Sequence, residues 1–281
     1  MDVFKSMVNE QANEQRKWID ARFSLQDPLA GEFVYRSGHI KGAVHWDLEK
    51  DLSDMQTSGG RHPLPDHDAL TELYQRSGIE LDDEIIIYDN GGEPFAARAW
   101  WVLQYGGFTN VHISLEGYEG LVETGEAFET EIPVFERSSV RPQWNESILA
   151  LKEDVRQLVD EKSEEVLLDA RAGERYRGEH EPLDPIAGHI PSAQNFDWAQ
   201  LVKEGMFEIA GEGICQLERM VKKDQSVTVY CGSGVTAAPL YAMLKEKGYS
   251  HVRLYAGSYS DWISEGDLPV ETSTNEQDGA L

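Results

Sequence analysis

Cysteine is almost absent from this chain: among 281 residues there are two, Cys215 and Cys231. A disulfide-stapled scaffold from an oxidising compartment is therefore not expected. No four-ligand set accompanies the two thiols, so the common zinc patterns are not expected either, and no metal site is read here. Basic residues are also scarce, 25 Lys and Arg against 51 Asp and Glu, for a formal net charge of −26. Nucleic acids and anionic membranes are bound through basic patches, so neither is an expected partner. No run approaches the ~18 consecutive apolar residues of a membrane span, and the first residues lack the apolar stretch and cleavage site of a secretory leader. Low-complexity tracts are missing as well. What remains is the composition of a globular protein expected in the cytoplasm, long enough for one large or two modest domains.

What the chain does have is an internal repeat. Trp18-Ile19-Asp20-Ala21-Arg22 returns as Leu167-Leu168-Asp169-Ala170-Arg171, and Gly38-His39-Ile40 returns as Gly188-His189-Ile190. Ile86-Ile87-Tyr88-Asp89 returns as Thr228-Val229-Tyr230-Cys231, and Leu115-Glu116-Gly117-Tyr118 as Tyr255-Ala256-Gly257-Ser258. The offsets are 149 (20 to 169), 150 (38 to 188), 142 (89 to 231) and 140 (117 to 257). Four matches in one order with slowly drifting offsets mark a duplicated domain. The expected organisation is an N-terminal domain over 1–132, a Pro-bounded linker over 133–145 and a C-terminal domain over 146–281, with a polar, frayed tail from Glu271 onward.

Within each copy short apolar runs alternate with helical periodicity. Glu84–Tyr88, Val111–Ser114, Val166–Asp169, Val227–Tyr230 and Val252–Tyr255 read as strands; Pro94–Gln104 and Ile148–Glu161 read as helices. Such alternation predicts an α/β fold in which each domain is a mainly parallel sheet flanked by helices on both faces. Sheets of this kind bind ligands beyond the carboxyl ends of their strands. Trp100, Trp101 and Trp262 read as packing residues, and His39 and His189, at equivalent repeat positions, share one structural role. Cys215 lies in a helical pattern and reads as buried.

Cys231 stands at the carboxyl end of such a strand, in Val227-Thr228-Val229-Tyr230-Cys231-Gly232-Ser233-Gly234-Val235-Thr236-Ala237. A strand, a glycine-containing turn and a helix start gather backbone N–H groups at one point, which favours an anion and a reactive thiol. A buried structural cysteine is the alternative. The first copy carries Asp89 at this position, so one active site per chain is expected, in a cleft between the domains.

These residues resemble the tandem-domain rhodanese superfamily of thiosulfate and 3-mercaptopyruvate sulfurtransferases, over nearly the whole chain from Asp20-Ala21-Arg22 to Gly257-Ser258-Tyr259-Ser260-Asp261-Trp262. The loop Cys231-Gly232-Ser233-Gly234-Val235-Thr236-Ala237 is similar to the mercaptopyruvate branch. The resemblance implies two rhodanese-like domains, the C-terminal one catalytic, and a ping-pong reaction. Cys231 takes a sulfane sulfur from a small anionic donor as a persulfide and passes it to cyanide, a small thiol or a thioredoxin-like acceptor, without a cofactor. The N–H groups of Gly232, Ser233, Gly234, Val235 and Thr236 would hold the outer sulfur's charge. Arg175 matches the arginine that holds the donor's anionic end; pairing with Glu174 or Glu179 at the surface is its alternative. His62 matches the histidine of a proposed Ser–His–acid relay, with Ser233 as the serine and Glu49, or else Asp47, as the acid; hydrogen bonding to a turn is the alternative for His62.

One departure stands out. The mercaptopyruvate branch places a second donor-binding arginine after a Glu-Pro pair, whereas Glu181-Pro182 is followed here by Leu183-Asp184, with Arg177 as a possible substitute. Two other functions fit the fold: a cysteine phosphatase and a non-catalytic binding module. The phosphatase loop needs an arginine six residues after its cysteine, where this chain has Ala237, and the binding module commonly lacks the cysteine.

Overall fold

The computed structural model describes residues 2–8, 10, 13 and 15–273. The chain divides into two compact units, one of Met1–Met55, Leu64–Glu146 and Val202–Glu208, the other of Gln56–Pro63, Ser147–Leu201 and Ile209–Leu281. Residues 132–145 have no regular secondary structure and belong to the first unit.

The first unit is built on β1 (Phe4–Lys5), β2 (Lys17–Asp20), β3 (Ala43–His45), β4 (Ile85–Tyr88) and β5 (Val111–Ser114), joined by α1 (Ala30–Ser37), α2 (His67–Arg76), α3 (Phe95–Tyr105) and α4 (Tyr118–Thr124). These five strands pair in parallel throughout, in the order β1-β5-β4-β2-β3. The second unit has β6 (Leu149–Ala150), β7 (Val166–Asp169), β8 (Gln194–Asn195), β9 (Val227–Tyr230) and β10 (Val252–Tyr255). Its helices are α5 (Lys152–Asp160), α6 (Gly173–Arg177), α7 (Glu212–Met220), α8 (Ala237–Glu246) and α9 (Ser258–Trp262). The parallel order is β8-β7-β9-β10-β6, the same wiring as in the first unit. The central strands β4, β7 and β9 are buried along their whole length, which is why residues 85–87 and 166–168 run apolar; β9 buries one polar residue, Thr228.

The repeated motifs have one physical explanation. Arg22 Nη2 bonds Asp20 Oδ2 and the Gly38 carbonyl, both at 2.6 Å, and Arg171 Nη2 bonds Asp169 Oδ2 at 2.6 Å and the Gly188 carbonyl at 2.7 Å. The buried guanidinium thus ties the end of a central strand to the turn before His-Ile. Each is capped by a tyrosine ring, Tyr118 at 4.0 Å and Tyr259 at 4.1 Å. His39 and His189 each bond a tyrosine carbonyl through Nδ1, at 2.8 and 2.7 Å, and stack on that ring. Their shared structural role, and the burial of Trp100, Trp101 and Trp262, agree with the sequence.

Three local readings are corrected. Ile148–Glu161 is not one helix: Glu146–Ile148 is a 3-10 turn, Leu149–Ala150 pairs with β10, and the helix begins at Lys152. Cys215 is exposed, because α7 turns Ile214 and Leu217 inward and the residue one step on falls outside that face. The tail does not fray at Glu271, whose N–H and carbonyl pair with His189 at 2.9 and 2.8 Å. The rest of that expectation, from residue 274, lies outside the described residues.

In the first unit Asp89 occupies the position that Cys231 holds in the second. Its Oδ1 accepts the Gly91 N–H at 2.8 Å and Oδ2 the Ala96 N–H at 3.0 Å, so a carboxylate fills the cradle of its own loop. Burial nevertheless pushes the acid up to about 7, against those backbone bonds. The folded state then retains a proton that the unfolded chain releases near pH 4, so stability falls as pH rises from about 4 to about 7. Wild-type protein is expected to lose about 2 kcal/mol more between pH 5 and pH 8 than Asp89→Asn, measured by urea unfolding. Identical pH dependence in the two proteins would contradict this.

Candidate active site

Strand β9 ends at Tyr230 and delivers Cys231 to the mouth of the loop that leads into α8. The Gly234 N–H donates to Cys231 Sγ at 3.2 Å. Gly234 adopts φ +77, and a Cβ built there would stand 2.1 Å from the Ala256 carbonyl oxygen, so the turn accepts glycine alone. Val235 is buried and Thr236 is the N-cap residue of α8. The segment around α9 pins this loop. Cys231 N–H donates to Ser258 Oγ at 3.1 Å, Tyr259 N–H to the Cys231 carbonyl at 3.0 Å, and Ser260 N–H to the Gly232 carbonyl at 2.9 Å. Ser258 Oγ also lies 4.0 Å from the Cys231 sulfur. Ser258 is buried with φ +56, a conformation few non-glycine residues adopt, and its hydroxyl bonds the Tyr255 carbonyl at 2.9 Å.

The stretch 56–63 belongs to the same unit and brings Arg61 and His62 to this loop. Arg61 N–H donates to Ser260 Oγ at 3.0 Å. Gly60, at φ +104, leaves no room for a side chain: a Cβ would meet the Gly257 carbonyl at 2.7 Å and Ser260 Oγ at 2.9 Å. His62 Nδ1 and Ser233 Oγ share a hydrogen bond of 2.8 Å, with both residues buried. Glu49 belongs to the first unit, where its N–H donates to Asp47 Oδ1 at 2.9 Å.

Arg175 projects from α6. Its Nε and Nη2 bond Glu181 at 3.0 and 2.8 Å, and Nη2 bonds Asp184 Oδ2 at 3.1 Å; Glu174 and Glu179 are not its partners. Arg61 Nη1 bonds the other oxygen of Asp184. A Cβ on Gly232 would stand 2.5 Å from Arg61 Nη2 and 3.3 Å from Arg175 Nη2, so two guanidiniums border the residue after Cys231. Arg177 bonds Glu179 through Nε and Nη2, both at 2.9 Å. Burial opposes ionisation of Glu181, yet the Arg175 bond and the N–H groups of Leu183 and Asp184 bring it below the usual carboxylate range. Burial raises Asp184 despite Arg61 and Arg175, with Glu181 adding to the rise.

The structure therefore brings Cys231, Gly232, Ser233, Gly234, Val235, Thr236, His62 and Arg175 into one unit around one loop. Sequence reasoning missed Arg61, whose only local signal is that it precedes His62. It also missed Ser258, which ends a repeated motif, and Ser260, two residues beyond it; neither carries a local mark of chemistry. Among the described residues no group of three or more His, Cys, Asp or Glu is placed to hold a metal ion, and no helix is long and apolar enough to cross a membrane.

A family model described as "Rhodanese-like domain" matches residues 2–124 and again 151–265. A Pseudomonas aeruginosa protein named "Probable 3-mercaptopyruvate sulfurtransferase" is 39 % identical over 269 residues, covering 90 % of this chain and 91 % of that protein. A protein of Corynebacterium glutamicum named thiosulfate sulfurtransferase is 26 % identical over 289 residues, covering 97 % and 94 %. The crystal structure of SseA from Escherichia coli, described under the 3-mercaptopyruvate sulfotransferases, has a TM-score of 0.74 at 30 % identity, covering 88 % of this chain and 94 % of that one.

Proposed function

The chain belongs to the rhodanese family as a tandem-domain sulfurtransferase, and from that premise we propose that it moves sulfur from 3-mercaptopyruvate through a persulfide on Cys231. The observation that carries this reading is the 2.8 Å hydrogen bond between His62 and Ser233, two residues beyond the nucleophile. Thiosulfate needs no proton when its sulfur leaves, whereas a pyruvate leaving group does.

In the first half-reaction the Cys231 thiolate attacks the donor's sulfur. An S–S bond forms, the C–S bond breaks, and its electron pair departs on the enolate of pyruvate. The proton of the donor's thiol reaches that enolate through the Ser233–His62 pair, in which an imidazole and a hydroxyl can each both give and take a proton. Arg175, with Arg61 beside it, orients the donor carboxylate through its planar fork. The persulfide's outer sulfur is anionic and takes hydrogen bonds from the loop N–H groups of Gly232–Thr236. In the second half-reaction a nucleophile such as cyanide or a thiol attacks that outer sulfur and releases the Cys231 thiolate. Acceptors of this kind, a small thiol or a thioredoxin-like protein, fit a chain whose thiols work reduced, as in the cytoplasm.

The test is turnover with each donor, using cyanide as acceptor. Ser233→Ala is expected to lower kcat for 3-mercaptopyruvate by about 10²-fold, while thiosulfate turnover falls far less. Equal losses with both donors would remove the proton-transfer role from Ser233, and a wild-type preference for thiosulfate would overturn the donor assignment.

A further inference from the structure

Asp184 is buried beside the Cys231 loop with both carboxylate oxygens on guanidinium groups. Oδ1 bonds Arg61 Nη1, and Oδ2 accepts from Arg175 Nη2 at 3.1 Å. The Asp184 side chain is 3 % exposed, against 30 % for Arg61 and 16 % for Arg175, so the guanidiniums are the solvent-facing members of the trio. Both border Gly232, the neighbour of the nucleophile. A carboxylate gripped by two guanidiniums is the arrangement that captures a carboxylate substrate, and here the chain supplies the carboxylate itself. Behind the trio Arg171 bonds Asp169 and Glu181, and Glu181 bonds Arg175. Three guanidiniums thus meet three carboxylates, Asp169, Glu181 and Asp184. The formal charges cancel, and an incoming anion finds no unpaired cation in this cluster.

We propose that Asp184 is an internal competitor for the donor, its carboxylate holding the seat between Arg61 and Arg175 that the donor's carboxylate takes during turnover. The proposal rests on the reading of Arg175 as the donor's anchor. Seating the donor must break the Asp184 contacts, which weakens donor binding without entering the bond-making step. Displaced, Asp184 loses two cations while the Glu181 carboxylate stays close, so it binds a proton more tightly. The groups that face it are Arg61, Arg171, Arg175, Glu181 and the Tyr259 hydroxyl, and burial already favours its neutral form. Donor binding therefore takes up a proton. His62 follows Arg61 in the chain and can also exchange protons, so the contribution of Asp184 is the part removed by Asp184→Asn.

The experiment is titration calorimetry of pyruvate, a carboxylate that cannot give sulfur, into the wild-type and Asp184→Asn proteins at pH 6.5, in two buffers of different ionisation enthalpy. KM and kcat for 3-mercaptopyruvate are measured alongside. Asp184→Asn is expected to bind pyruvate about 10-fold more tightly and to lower KM by a similar factor, more than any change in kcat. The wild-type protein is expected to take up a proton that the variant does not. Equal pyruvate affinity, or no difference in proton uptake, overturns the proposal. Asp184→Ser, which vacates the seat with a smaller side chain, replaces the variant if asparagine prevents folding. Should neither protein turn over 3-mercaptopyruvate while the pyruvate affinities differ as expected, the donor assignment falls and the role of Asp184 stands.

Discussion

Replacing Cys231 by serine is expected to lower kcat/KM for 3-mercaptopyruvate by ~10³-fold or more while the protein stays folded. A thiolate is the better nucleophile and the only one of the two that forms a stable persulfide; an alcohol at the same place remains protonated at neutral pH. The substitution is nearly isosteric, and the neighbouring backbone bonds, from Cys231 N–H to Ser258 and from Tyr259 N–H to the Cys231 carbonyl, do not involve the sulfur. Pyruvate should therefore bind the variant about as well as wild type, which separates lost chemistry from a lost site. Substantial turnover by Cys231→Ser, measured with cyanide as acceptor, would remove Cys231 from the mechanism.

Gly234→Ala carries the second large effect. The residue sits at φ +77, where an L side chain costs roughly 1–2 kcal/mol, and its Cβ would stand 2.1 Å from the Ala256 carbonyl. That oxygen belongs to backbone and cannot swing aside. Moving it would shift Gly257 to Ser260, the segment that bonds the Cys231 loop and the Arg61 backbone. The loss is expected to be about 3 kcal/mol of stability by urea unfolding, together with a fall in kcat/KM larger than stability alone explains. Gly248 is the control: it has φ +81 with nothing within 4 Å of its Cβ, so Gly248→Ala should cost only about 1 kcal/mol. Equal costs at the two positions would show that the close approach to Ala256 is not limiting.

The parts of this molecule that were legible in its sequence are those fixed by local pattern or by repetition. Val111–Ser114, Val166–Asp169, Val227–Tyr230 and Val252–Tyr255 are strands as expected, because each opens on valine with a second aliphatic residue two positions on. The repeated Asp-Ala-Arg and Gly-His-Ile segments exposed the duplication, and their conspicuousness has a cause: the arginine must reach the glycine carbonyl in both copies. Elements made by pairing alone were not legible. Phe4–Lys5 and Gln194–Asn195 are two-residue edge strands, and Leu149–Ala150 reads as helix because Ile148, Leu151, Val155 and Leu158 continue a helical spacing across it. The same limit held at the site. Cys231 was marked by strand, glycine turn and helix in succession. Arg61 meets Asp184 across 123 positions, and nothing local to either residue records that meeting.

Whether sulfur rests on Cys231 between donor and acceptor is read by mass spectrometry of the protein after 3-mercaptopyruvate is added without an acceptor. A gain of one sulfur atom is expected, confined to the peptide that holds Cys231 and lost when cyanide is added. No gain on the folded protein, or a gain on exposed Cys215 in place of Cys231, would contradict it.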